Sequence, residues 1–312
     1  MSERICRKLN RATLDPRIIG DRLRYVDNQV NSDVLVFFLH GLGLDHRDFG
    51  PILERLPYRG LSPTLYGCEP DRRAGISLSL ADHVVLLREW LRDVAERFQA
   101  STLVMVGFSL GADMGFELLL AQAGEPPPAI HAFLAFECNL SLDTCFASRV
   151  LAQLSPDRPE TLVAELRRLG DSTATLDEWI NIHEYLVKVL RKFQGDIGVL
   201  QRAAADIVRP LRETPGFDVF ARWFKAARER VPVLRLVFSG DSSSRAALDQ
   251  LKLENLDCDI LGEEFPDAIF TVVPKTDHFD LMATDQVLRQ VEELVAEVRR
   301  GRSQSGGRMP SS

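Results

Sequence analysis

Gly107-Phe108-Ser109-Leu110-Gly111 sets one hydroxyl between glycines two positions away on either side. The motif stands where a strand pattern over residues 102–106 runs straight into a helix pattern from about 109 to 122. A strand that turns at once into a helix forces strained backbone at the serine, and the glycines remove side chains that would clash there. The hydroxyl then projects from the C-terminal edge of a sheet. It also lies at a helix N-terminus, whose dipole and N–H groups favour developing negative charge. Such a serine is a nucleophile for acyl transfer. The plainer alternative is a tight strand–helix turn with a capping serine.

His40-Gly41-Leu42-Gly43 follows another strand pattern, Val34–Leu39, and turns towards the same edge. The backbone N–H groups of Leu42 and Leu110 there would make a two-donor oxyanion hole. For the His40 side chain a structural role in fixing the turn is expected. A serine needs a base near neutral pH. Of the six histidines, only His40 and His278 follow core strand patterns. Asp277-His278-Phe279 stands between the last strand pattern and the last helix pattern, so His278 is the expected base.

These residues need a scaffold. Val34–Leu39 is a continuous β-branched and aromatic run, the pattern of a strand buried on both faces. A hairpin is expected before it, around Asp27-Asn28-Gln29, and a short strand after it at 62–66. Further strands are expected at 130–136, 233–238 and 268–273. Val84, Leu87, Leu91, Val94 and Phe98 recur at steps of three and four, which predicts a helix over 81–98. Val287, Val291, Leu294 and Val298 do the same for 284–299. Alternating elements of this kind imply an α/β fold with a mainly parallel central sheet flanked by helices. Strand patterns vanish over 140–230 and helical ones replace them, so an inserted helical cap is expected there. The core would then comprise 1–139 and 231–300, and the Gly/Ser-rich residues 301–312 a disordered tail.

With the H-G turn, the elbow and the late histidine in register, the sequence resembles the α/β-hydrolase superfamily, in its serine-nucleophile form with a helical cap. Ser79-Leu80-Ala81-Asp82-His83 resembles the helix start that precedes the elbow strand in that superfamily. The resemblance covers about residues 23–299. It implies a triad in the order serine, acid, histidine. Most members carry the acid about three residues beyond a glycine after the strand that follows the cap. Here that segment reads Gly240-Asp241-Ser242-Ser243-Ser244, so the usual position holds Ser243 and the carboxylate is Asp241. Some members, including a branch of haloalkane dehalogenases, place the acid after the earlier strand, where this chain has Glu137. Glu137 and Asp241 both remain open as the acid that orients His278.

The resemblance implies a serine hydrolase of the esterase or thioesterase class, working through an acyl-enzyme on a small, hydrophobic acyl substrate. Acyltransferase and C–C hydrolase chemistry share the same parts. Dehalogenation and epoxide opening use an aspartate in the elbow, which this chain lacks. A ligand receptor or pseudoenzyme on the same scaffold is the alternative from another class.

Composition narrows the rest. Hydrophobic residues are 45% and charged residues 27% of 312, ordinary usage for a globular chain and unlike a disordered, fibrous or disulfide-scaffold protein. The net charge of −7 leaves no basic footprint for nucleic acid. The apolar run at 34–39 is far short of the ~20 residues that span a bilayer. Residues 1–10 are polar and basic and do not read as a secretory signal. The five cysteines are odd in number and lack C-x-x-C spacing, which suggests reduced thiols and a cytoplasmic protein. No metal-ligand spacing stands out around His278, so neither metal nor cofactor is expected.

Overall fold

A computed structural model describes residues 2–5, 24–64, 79–120, 128–153, 197–240, 243–262 and 269–305. The described strands are β1 (Ser2–Ile5), β2 (Arg24–Asp27), β3 (Val34–Leu39), β4 (Arg59–Pro63), β5 (Thr102–Phe108), β6 (Ala132–Phe136), β7 (Val233–Ser239) and β8 (Phe270–Val273). The described α-helices are α1 (Gly50–Arg55), α2 (Leu80–Phe98), α3 (Leu110–Leu120), α4 (Phe146–Gln153), α5 (Ile197–Glu213), α6 (Asp218–Arg230), α7 (Ser243–Cys258) and α8 (Thr284–Ser305).

The strands form one sheet in the order β1-β2-β4-β3-β5-β6-β7-β8. From β4 to β8 neighbours run parallel, and β1 and β2 add an antiparallel edge. Every residue of β3 and β5 is buried. Alternate side chains serve opposite faces, as the period of two requires. Leu35, Phe37, Leu103 and Met105 join the apolar layer under α2, α3 and α6, whereas Val34, Val36, Val104 and Val106 join the one under α1 and α8. Because parallel strands share a direction, the C-terminal ends of β3, β5, β6, β7 and β8 gather at one edge. The pairs Leu39 with Gly107, Phe108 with Phe136 and Ser239 with Val273 fix that alignment.

The helices follow their expected faces. Ser79 and Asp82 form a reciprocal cap at the start of α2, which buries Val84, Leu87, Leu91 and Val94. α8 buries Val287, Val291, Leu294 and Val298 and continues to Ser305, past the expected end near 300. Residues 306–312 lie outside the described residues. The expected hairpin at Asp27-Asn28-Gln29 does not form. β2 pairs with β4, and β4 lies between β2 and β3. The turn side chains serve β4 instead. Asn28 accepts from Gly60 N at 2.9 Å and donates to Tyr58 O at 2.9 Å, while Asp27 pairs with Arg59 at 2.8 Å.

Of the span 140–230, residues 154–196 lie outside the described residues. α4 packs on α5, and Asp206 of α5 accepts a hydrogen bond from Leu80 N at 3.1 Å at the start of α2. α6 lies against α3 over the sheet, as a crossover helix between β6 and β7. Its Trp223 ring stacks on Phe116 at 5.9 Å, and its indole N–H donates to Glu117 at 2.8 Å.

Candidate active site

The turn from β5 into α3 is as tight as its glycines imply. A Cβ on Gly107 would stand 2.6 Å from Ala112 Cα, and one on Gly111 would stand 2.0 Å from Leu39 O. Neither position has room for a side chain. Between them Ser109 has φ 53°, the left-handed region that costs an L-residue energy and persists only where the surroundings enforce it. They do so here: Ser109 N donates to Phe136 O at 2.8 Å, and Ser109 O accepts from Ala112 N at 2.8 Å. The serine is half-buried at the start of α3.

The Gly111 contact with Leu39 and His40 presses the first turn of α3 against the turn after β3. Leu42 and Leu110 are both buried on those two turns. His40 is fully buried and bonds through Nδ1 to Gly41 O at 2.9 Å. Burial pushes its pKa down to about 4, with the Gly41 bond opposing, so the ring is neutral and holds the turn. Gly41 in turn lies against Phe108, which a Cβ would meet at 3.1 Å.

His278 stands on the loop after β8. Its ring packs on Phe108, the residue before Ser109, with centroids 4.8 Å apart. Its Nδ1 bonds to Glu137 Oε2 at 3.0 Å. Asp277 caps the loop itself: its Oδ1 accepts from Phe279 N and Asp280 N, each at 2.7 Å.

Glu137 follows β6 directly and is also left-handed, with φ 50°. It is 4% exposed, and both carboxylate oxygens are engaged. Oε1 accepts from Ser239 N at the end of β7. Oε2 accepts from the Ser244 hydroxyl at 3.0 Å as well as from His278. Burial alone would raise the carboxyl, but hydrogen bonds from His278 and Ser239 and the His278 charge outweigh it. Its pKa is held below the ordinary value of 4.5.

Ser109, His278 and Glu137 thus converge on one sheet edge, with Leu42 and Leu110 on the turns beside Ser109. Asp241 lies outside the described residues. Sequence reasoning missed Ser239, Ser244, Asp113 and Asn139. The one available signal was an acid, Asp113, inside the otherwise apolar start of α3. Among the described residues, no group of three His, Cys, Asp or Glu side chains is placed to hold a metal ion, and no helix is long and apolar enough to cross a membrane. A separate cavity of about 510 Å³ lies between α2, α3 and α5, lined by Val84, Arg88, Glu117, Asp206 and Arg209 among others. Ser109, Glu137 and His278 do not line it.

Residues 36–293 match the sequence model of the alpha/beta hydrolase family. No curated protein matches the sequence. Among solved structures, an AqdC variant bound to its substrate, described for ring cleavage of the Pseudomonas quinolone signal, aligns with a TM-score of 0.62 at 15% identity over 95% of this chain and 100% of that one. A thermophilic esterase from Thermogutta terrifontis aligns with a TM-score of 0.60 at 15% identity over 96% of this chain and 99% of its own. A 1H-3-hydroxy-4-oxoquinoline 2,4-dioxygenase gives 0.59 at 15% identity over 95% and 100%. At these identities the likeness is one of fold.

Proposed function

The chain belongs to the alpha/beta hydrolase family, and from that premise we propose that it is a serine hydrolase acting on an ester or thioester. The observation that carries the reading is the 3.0 Å bond between His278 Nδ1 and the buried Glu137 carboxylate, beside a strained elbow at Ser109. Ser109 Oγ attacks the substrate carbonyl. His278 Nε2 takes its proton and later returns it to the leaving group. Glu137 holds Nδ1–H and stabilises the imidazolium. The Leu42 and Leu110 N–H groups receive the oxyanion. Water then releases the acyl group from Ser109.

The bond to His278 favours Glu137 over Asp241 as the acid. Ionisation below the usual carboxylate range suits that role, because the acid must remain a carboxylate when His278 becomes charged. A small hydrophobic acyl group held under a helical cap is part of the same reading. Free Cys138, Cys145 and Cys258 support a cytoplasmic setting.

The test is labelling with an alkyl fluorophosphonate, located by peptide mass spectrometry, in wild type and His278→Ala, followed by turnover of an ester and thioester panel. Modification of Ser109 that depends on His278, with ester or thioester turnover, supports the reading. A folded protein that never labels points to a ligand receptor on this scaffold. Two structural neighbours, the quinolone-signal ring-cleaving AqdC variant and the 1H-3-hydroxy-4-oxoquinoline 2,4-dioxygenase, add a third outcome. Turnover of a 3-hydroxy-4-oxoquinoline that survives Ser109→Ala but not His278→Ala would replace acyl transfer with base-catalysed chemistry.

A further inference from the structure

Glu137 keeps a left-handed backbone without being glycine, so something must hold the chain on both sides of it. On the N-terminal side β6 does so: Phe136 pairs with Val237, and Glu137 N donates to Val237 O at 2.9 Å. On the C-terminal side the anchor comes from another element. Asn139, two residues on, is held by Asp113 of α3. Its backbone N–H donates to Asp113 Oδ1 at 2.9 Å and its side-chain amide to Asp113 Oδ2.

Asp113 is 1% exposed, in the first turn of the elbow helix, and its own N–H donates to Ser109 O at 3.2 Å. One residue therefore spans from the nucleophile's carbonyl to the loop that carries the acid. The loop beyond is closed on itself: Leu140 N donates to Thr144 Oγ1 at 3.0 Å, and Thr144 Oγ1 donates to Ser141 O at 2.8 Å. It has its own turn structure, and Asp113 fixes where that turn sits relative to Ser109.

We propose that Asp113 is a positioning residue: by clamping Asn139 to the elbow helix it fixes Glu137, and through Glu137 it aims His278 at Ser109. The proposal rests on reading Ser109, His278 and Glu137 as a catalytic triad. A buried carboxyl is a costly way to bind an amide, and such costs concentrate where geometry matters. Burial pushes Asp113 up to about 7, against the pull of the Asn139 bonds, and Glu117 on the same helix adds to the rise. Cys138 and Cys145 face it from the loop, with their thiols pushed up by burial and by the Asp113 charge.

The experiment measures the rate of Ser109 labelling by an alkyl fluorophosphonate up to saturation, with thermal unfolding recorded for each variant. Asp113→Ala should lower the maximal rate about 10- to 100-fold, as a misplaced catalytic group does, and leave the half-saturating probe concentration within about two-fold. Asp113→Asn keeps an acceptor for Asn139 N–H and should recover to within about three-fold of wild type. A maximal rate in folded Asp113→Ala equal to wild type would overturn the proposal. If Asp113→Ala does not fold, Asn139→Ala carries the test, because it keeps the backbone bond and loses the amide. A loss of about 3- to 10-fold supports the proposal, and no loss overturns it. No labelling of wild type would remove the triad reading itself, which separates that failure from failure of the clamp.

Discussion

The ends of β6 and β7 lie side by side, yet they are built for different tasks. β6 ends in Glu137, left-handed and buried, which presents a carboxylate to His278. β7 ends in Ser239 and Gly240, which present no charge. Ser239 N–H donates to Glu137, and Gly240 packs so closely on the β8 loop that a Cβ would stand 2.9 Å from Pro274 Cα. One strand end supplies the anion and its neighbour supplies donors and close contact. The pairing is economical, because a buried carboxylate keeps its charge only where hydrogen bonds replace water.

Exchanging the charge tests this division most severely. Glu137→Gln keeps the shape and loses the anion, so ester turnover should fall about 10³- to 10⁴-fold. Asp241→Asn should fall less than about three-fold. Comparable losses in both, read as kcat/KM on one ester, would erase the contrast between the two strand ends.

The β6 side has a second buried carboxyl beneath it, Asp113, which also bears on stability. Asp113 is raised from 3.8 to about 7, so it binds a proton in the folded state that the unfolded chain has already released. Stability from this group is therefore fully present below about pH 4 and is lost as pH rises through about 7. The distance between those two values corresponds to up to about 4 kcal/mol. Asp113→Asn cannot ionise. Urea unfolding of the two proteins should show wild type losing ground to the variant between about pH 4 and pH 7, and parallel curves would remove the argument. On the β7 side the matching test is steric. Gly240→Ala forces a Cβ against the backbone of Val273 and Pro274 and should cost about 1–3 kcal/mol in the same assay.

How much of this was legible in the sequence depended on how local each signal was. The strand at Val34–Leu39 and the strand–helix junction at Ser109 are written in contiguous residues, and the structure has both. The hairpin before β3 failed because a local turn signal says nothing of which strand the chain joins next. Asn28 and Asp27 serve β4, some thirty residues on. The two carboxylates could not be separated for the same reason. That choice depends on β6 and β7 being neighbours and on Ser244 reaching back across 107 positions to Glu137. Asp113 was visible only as an odd acid in an apolar helix, and nothing in its neighbourhood named Asn139 as its partner.

Ser244 gives a smaller effect than Glu137 and a more discriminating one. Its hydroxyl donates to Glu137 Oε2 at 3.0 Å, the same oxygen that His278 uses. Ser244→Ala removes one donor to the ionised carboxylate and leaves Ser239 N–H and His278 in place. Hydrogen bonds to charged groups contribute about 1.5–3 kcal/mol, and part of that loss should reach the reaction as about a 10-fold fall in turnover. The sign of the pH effect follows from the same bond. A carboxylate held below its ordinary pKa contributes stability that is present above the unfolded value and lost as pH falls through the folded one. Losing a donor raises the folded value, so acid inactivation and acid unfolding of Ser244→Ala should both begin at higher pH than in wild type. If turnover falls and the acid limbs stay where they are, Ser244 acts by packing alone, and the β7 side contributes its backbone rather than its hydroxyls to the charge on β6.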